Sequence, residues 1–190
     1  MRNAEATKER ILEAALEEFS SYGIAGARVD RISKNAGCNK NLIYVYFENK
    51  ETLFKTVLEK HLTRVYEEIS FTPEDLPGYA VKVFDWAMSH PHIVRLMTWY
   101  SLEQKVDNLT ERNAVRDKKL KAIKDAQGDG LLGTTFTPGF LMTAIMALAT
   151  AWTPTHPFGS SHDPDAATNP SGTREAIAKA VSLIAKGEDS

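Results

Sequence analysis

The chain has 190 residues, 43% of them hydrophobic, enough for one well-buried core and a small satellite domain but too few for several large domains. Its formal net charge of -2 gives no global basic signature, so a nucleic-acid contact has to come from a local patch. Cys38 is the one cysteine, which excludes an intrachain disulfide, and the charged start Met1-Arg2-Asn3-Ala4-Glu5 is unlike a secretory leader. Both features point to a reducing cytoplasm.

In chain order, residues 7–22 carry Ile11, Leu12, Ala15, Leu16, Phe19 and Tyr22 every three or four positions, interspersed with Glu9, Glu13, Glu17 and Glu18. This is an amphipathic helix stopped at Gly23. Two short helical segments follow, 29–36 and 39–46, separated by Gly37, which can take the left-handed conformation that a tight helix-helix turn needs. Asn49 is suited to capping a long helix whose stripe of Leu53, Phe54, Val57, Leu58, Leu62, Val65 and Ile69 runs to Phe71.

Thr72-Pro73 and His90-Pro91 each look like a cap followed by proline at the first helical position, opening helices over 76–88 and 91–105. The charged stretch 108–127 reads as a mostly solvated helix ending in a glycine-rich loop, 128–133. Thr137-Pro138 starts an apolar helix to Trp152 with almost no polar face, so it must be covered on several sides. Its run from Phe140 is well short of the roughly 20 residues that span a bilayer, and no membrane contact is expected. Residues 153–172, rich in Pro, Gly, Ser, Asp and Asn, form a long surface loop, and 173–186 form a last helix with the stripe Ile177, Ala180, Val181 and Ile184.

The local basic patch lies between Ala27 and Lys50, where Arg28, Arg31, Lys34, Lys40 and Lys50 outnumber Asp30 and Glu48. Within it, Ile32, Ser33, Ala36, Gly37 and Ile43 occupy the positions at which two short helices must pack closely at a steep angle. The other side chains of the second helix, Asn39, Lys40, Asn41, Tyr44 and Tyr46, are free to face outward. Asn and Lys suit base edges and phosphates, while the tyrosine hydroxyls and Lys50 suit the backbone. A solvated helical hairpin is the bland alternative for this spacing.

The run from Gly37 to Leu53, with its Tyr44-Val45-Tyr46-Phe47 block, Lys50-Glu51 and Leu53, resembles the signature of the TetR family of transcriptional regulators. Ile11-Leu12-Glu13-Ala14-Ala15, Phe19, Gly23, Val29 and Ile32 also fall where that family places them. The resemblance implies an all-α protein: a three-helix DNA-binding domain with a helix-turn-helix over residues 1–50, and a helical ligand-binding and dimerisation domain over 51–190. It also implies that Arg28, Asn39, Lys40, Asn41, Tyr44, Tyr46 and Lys50 meet DNA. The chain departs from the family in having Asn39 and Asn41 where Ser and Gly are usual, and Arg28 where Thr is usual. Asn41 either sets the helix slightly outward or contacts a base itself, adenine being the natural partner.

Gly128-Asp129-Gly130-Leu131-Leu132-Gly133 spells a dinucleotide fingerprint without the preceding strand that motif requires, so it reads as a surface loop. His90, His92, His156 and His162 lack accompanying ligands for a metal, and no catalytic set is apparent; neither a cofactor nor an enzyme activity is expected. Trp86, Met97, Trp99, Tyr100, Phe140, Met142 and Met146 read as core residues that together leave an apolar pocket. The expectation is a cytoplasmic homodimer bound to a pseudo-palindromic duplex operator and released by a small hydrophobic or aromatic effector. The alternative is a small-molecule-binding protein or enzyme of the same fold without DNA binding.

Overall fold

The computed structural model describes residues 2–103, 110–166 and 168–186, and among these the regular structure is entirely helical. Ten α-helices follow in order: α1 (Arg2–Gly26), α2 (Val29–Asn35), α3 (Lys40–Phe47), α4 (Lys50–Glu68), α5 (Leu76–Ser89), α6 (Pro91–Glu103), α7 (Thr110–Gly128), α8 (Pro138–Thr150), α9 (Gly159–His162) and α10 (Pro170–Lys186). The chain forms two compact units, Met1–Arg64 with His92–Leu109, and Val65–Pro91 with Thr110–Ser190. The expected helix boundaries at Lys105 and Asn108 lie outside the described residues.

In the first unit the α1 stripe behaves as its spacing requires: Ile11, Leu12, Ala15 and Phe19 are buried, together with Ile32, Ile43, Phe47, Leu53, Phe54, Val57 and Leu58. Phe19 meets Phe54 edge to face, centroids 5.1 Å apart at 85°, a favoured geometry for two rings that each contribute roughly 1.5–3 kcal/mol through burial. Both short helices have caps. Gly37 at φ 61 closes α2 in a Schellman arrangement, its N–H donating to Lys34 O at 3.2 Å and that of Cys38 to Ser33 O at 3.0 Å. Asn39 opens α3 by accepting from Asn41 N at 2.9 Å, and Asn49 opens α4 by accepting from Thr52 N at 2.7 Å. Between α3 and α4 stand only Glu48 and Asn49. Glu48 sits at φ 62, ψ -53, and the Asn49 N–H donates to Phe47 O at 2.6 Å, a positive-φ γ-turn.

Gly23 interrupts α1, as its sequence position suggests, with φ 67 and ψ -176, but helical turns resume as far as Gly26. That last turn is held from α6. The Glu103 carboxylate accepts from Ile24 N at 2.9 Å and Ala25 N at 3.0 Å, and the Trp99 indole donates to Ser20 O at 3.2 Å.

The second unit is built on α5, whose buried Leu76, Tyr79, Ala80, Val83 and Phe84 meet Ile145 and Ala149 of α8 and Ile177, Val181 and Ala185 of α10. Asp75 caps α5, accepting from Gly78 N at 2.8 Å. Thr72, expected in that role, makes no side-chain cap bond, because Pro73 starts a separate 3-10 turn, Pro73–Asp75. Residues 153–172, expected as a loop, contain α9, a second 3-10 turn at Pro164–Ala166 and the start of α10. Trp152 explains part of this order: its indole N–H donates to Asp163 Oδ2 at 3.0 Å and draws the segment back. Helix α8 buries one face, Leu141, Ile145 and Ala149, and leaves Phe140 52% exposed; on α10 Leu183 is 66% exposed.

A Cβ on Gly23 would lie 2.2 Å from Glu103 Oε1 and 2.8 Å from the Trp99 ring, in a backbone region essentially reserved for glycine. Gly23→Ala is therefore expected to cost about 2 kcal/mol or more in urea unfolding of the full chain. An unchanged midpoint and slope would contradict this.

Candidate nucleic-acid interface

The interface is assembled on α2 and α3, and its alignment depends on a residue that counting cations overlooks. Glu18 is 4% exposed on α1. Its carboxylate accepts from the backbone N–H of Arg28 at 2.8 Å and from Arg31 Nε at 2.8 and 3.0 Å, with a further Arg31 contact at 2.5 Å. Arg31 also donates to Gly26 O at 3.2 Å and stacks over Tyr22, 4.4 Å from its centroid. Arg10 completes the fastening, its Nε donating to Ala36 O at 3.0 Å at the end of α2. Burial pushes the Glu18 carboxyl up, but the hydrogen bonds and charges of Arg31 and Arg28 prevail and hold it below its ordinary value. Arg31 is thus a positioning residue for the hairpin rather than one more free cation in the patch. A signal existed in the sequence: Glu18 lies three residues after Ala15 and seven after Ile11, on the apolar stripe itself.

With α2 fixed, α3 buries Ile43 and Phe47 and turns Asn39, Asn41, Tyr44 and Val45 outward. Arg28, Asp30, Lys40, Tyr44, Asn49 and Lys50 line an open groove of about 440 Å³. Four of the seven expected DNA-facing side chains therefore share one depression. Lys40 pairs with Asp30 at 2.9 Å, and the hydrogen bond and charge of Asp30 hold its ammonium above the ordinary value. Lys50 donates to Ala27 O at 3.2 Å, leaving further N–H donors of the ammonium for an outside acceptor. Of the remaining three, Asn39 has its oxygen committed to the Asn41 N–H, Asn41 is exposed, and Tyr46 is half-buried with its ring edge-on to Phe47 at 6.2 Å.

The expected sensing side chains are divided between the units. Met97, Trp99 and Tyr100 lie on α6 in the first; Trp86 on α5 and Phe140, Met142 and Met146 on α8 lie in the second. Trp86, Met142 and Met146 pack against the second core, Trp99 faces Gly23, and Phe140 stacks on Phe136 at 4.7 Å.

Two family models match this chain. Residues 11–57 match the bacterial regulatory proteins of the tetR family, and residues 75–182 match the tetracyclin repressor-like C-terminal domain. The chain belongs to the TetR family. It is similar to the HTH-type transcriptional repressor SCO4008 of Streptomyces coelicolor, 38% identical over 78% of this chain and 79% of that one. It is also similar to the HTH-type transcriptional repressor NicS of Pseudomonas putida, 33% identical over 76% of each chain. Among solved structures, the putative transcriptional regulator SCO4942 from Streptomyces coelicolor superposes with a TM-score of 0.81 at 40% identity, covering 92% of this chain and 96% of that one. As a TetR-family protein it is a DNA-binding transcriptional regulator with a helix-turn-helix, and α2 and α3 are that motif. No helix among the described residues is long and apolar enough to cross a membrane.

The depressed Glu18 carboxyl sets a pH dependence. Its share of stability is fully present above the ordinary value of 4.5 and is lost as the pH falls through the lower folded value. Glu18→Gln should lower stability at neutral pH and flatten the decline between about pH 5 and pH 3 in urea titrations. Parallel profiles for the two proteins would show that the carboxylate is not the linked group.

Proposed function

We propose that this TetR-family regulator is a repressor that binds a pseudo-palindromic operator as a homodimer in the cytoplasm and is released by a small hydrophobic or aromatic effector. In this reading residues 1–50 read DNA, while residues 51–190 sense and dimerise. The observation that carries it is the outward face of α3: Lys40, Asn41 and Tyr44 stand on a helix whose opposite side buries Ile43 and Phe47, next to an α2 that Glu18 fastens to α1. A helix held that firmly can enter the major groove without losing order, its first turn meeting base edges. Arg28, Tyr44, Tyr46 and Lys50 position the helix on phosphates, and Asn39, Lys40 and Asn41 carry sequence preference.

Dimerisation falls to α8 and α10. Leu183 is a large apolar side chain at 66% exposure on a helix that already buries one face, and a second copy offers the same patch in return. Sensing falls to Trp86, Met97, Trp99, Tyr100, Phe140, Met142 and Met146. The connection to DNA reading runs through α6, which the chain enters and leaves from the second unit but which packs in the first, with Trp99 and Glu103 gripping the Gly23 turn. An effector that moves α6 loosens that grip. A coupling of about 1–3 kcal/mol would lower operator affinity about 5- to 150-fold.

Sequencing the duplexes retained from a random pool supplies the operator for three measurements. Asn41→Ala should lose about 1–3 kcal/mol for the selected duplex while non-specific binding is kept. Lys50→Ala should weaken all duplexes alike and reduce the salt slope by about one unit. An unchanged specific to non-specific ratio in the first, or an unchanged slope in the second, would reassign that residue. Leu183→Glu should yield monomers in sedimentation, with operator affinity lost although the first unit still folds; an intact dimer would remove α10 from the interface.

A further inference from the structure

Val45 is the one outward residue of α3 for which polar chemistry gives no account. At 73% it is more exposed than any other large apolar side chain among the described residues. With about 100° between successive residues, it lies roughly 180° around the helix from the midpoint of the two buried side chains, Ile43 and Phe47. Val45 therefore stands on the crest of the outward face, directly away from the core. Asn41, also exposed, is one turn earlier and roughly 40° away on the same crest.

An apolar side chain in water gains free energy only when a partner takes that water away. On a helix that reads the major groove, the base edges offer one alkyl group, the C5 methyl of thymine; the other groups displayed there are hydrogen-bond donors and acceptors. Valine is suited to such a target. Branching at Cβ holds it largely to one χ1 rotamer in a helix, so its methyls are placed before contact and little freedom is lost on binding. The neighbours one turn away on either side, Asn41 and Glu48, are polar and exposed, which leaves an apolar spot one side chain wide. That is too small for the apolar centre of a protein interface and matches a single methyl group.

We infer that Val45 is a specificity-determining residue that selects thymine in the operator by packing on its C5 methyl, beside the base pair read by Asn41. This deepens the proposed function and rests on its reading that α3 enters the major groove. Side chains one helical turn apart have Cβ atoms about 6 Å apart, and successive base pairs are about 3.4 Å apart, so the thymine lies within about two base pairs of the Asn41 contact.

Deoxyuridine tests this on the duplex selected from the random pool, because replacing thymine by uracil deletes the methyl and keeps every hydrogen-bonding atom. Each thymine is replaced in turn, in both half-sites, and binding of the full chain is measured by competition. One replacement near the Asn41 contact should weaken binding about fourfold for each methyl removed, about fifteenfold for the pair. In Val45→Ala the same replacement should cost under about twofold, since the methyl has already lost its partner. Circular dichroism checks that the variant folds, and Val45→Ser, which deletes the same methyls, repeats the cycle if it does not. A selected duplex whose thymines can all be replaced without loss would overturn the inference, as contact with deoxyribose instead would predict. A loss of equal size in the unmodified protein and the variant would also overturn it, the methyl then acting through the shape of the duplex. Both of these outcomes leave α3 as the DNA-reading helix, whereas retention of no preferred sequence at all would overturn that reading and this inference together.

Discussion

The buried Glu18 carboxylate is the point on which the aim of the DNA-reading helices depends. It joins α1 to the first backbone N–H of the α2 entry and to the Arg31 guanidinium one turn later, so both the position and the rotation of α2 are set by one side chain. Helix α3 inherits that placement through the Gly37 turn. Removing a partner from such a group costs more than the bond itself, since a buried polar group is left without water or protein to satisfy it. The interface therefore consists of a thin layer of replaceable side chains over a frame with little freedom.

The same economy appears at the Gly23 turn. A helix of 13 residues, α6, holds the end of α1 through a carboxylate on two backbone N–H groups and an indole on one carbonyl. These bonds are local and breakable, unlike the apolar contacts of the Phe19 and Phe54 core. A regulator that must exist in two arrangements needs some of its stability in that form, because close-packed cores do not deform gradually.

Much of this was legible in the sequence. Periodicity located the helices, Gly37 and Asn49 located a turn and a cap, and the resemblance located the motif, because each depends on residues close together in the chain. Asp75 caps α5 where the sequence suggests Thr72, since both residues near Pro73 have suitable chemistry and only the backbone path distinguishes them. The order of residues 153–166 was hidden by their composition, which reads as loop, while its cause, the bond from Trp152 to Asp163, depends on where the chain returns. Glu103 on the Gly23 turn was beyond reach for the same reason. Its partners are 78 and 79 positions away.

The two-residue joint between α3 and α4 bears on how such a protein can vary over generations. Glu48 and Asn49 are both spent, one on the γ-turn and the other on the cap, so the joint has no spare length. Adding one residue would separate the γ-turn from the cap, so that one of the two would have to be given up. Insertions are thus closed to this junction, whereas substitutions on the outer face of α3 alter no buried contact. New binding preferences can therefore be reached one outer side chain at a time, on a reading head of unchanged length.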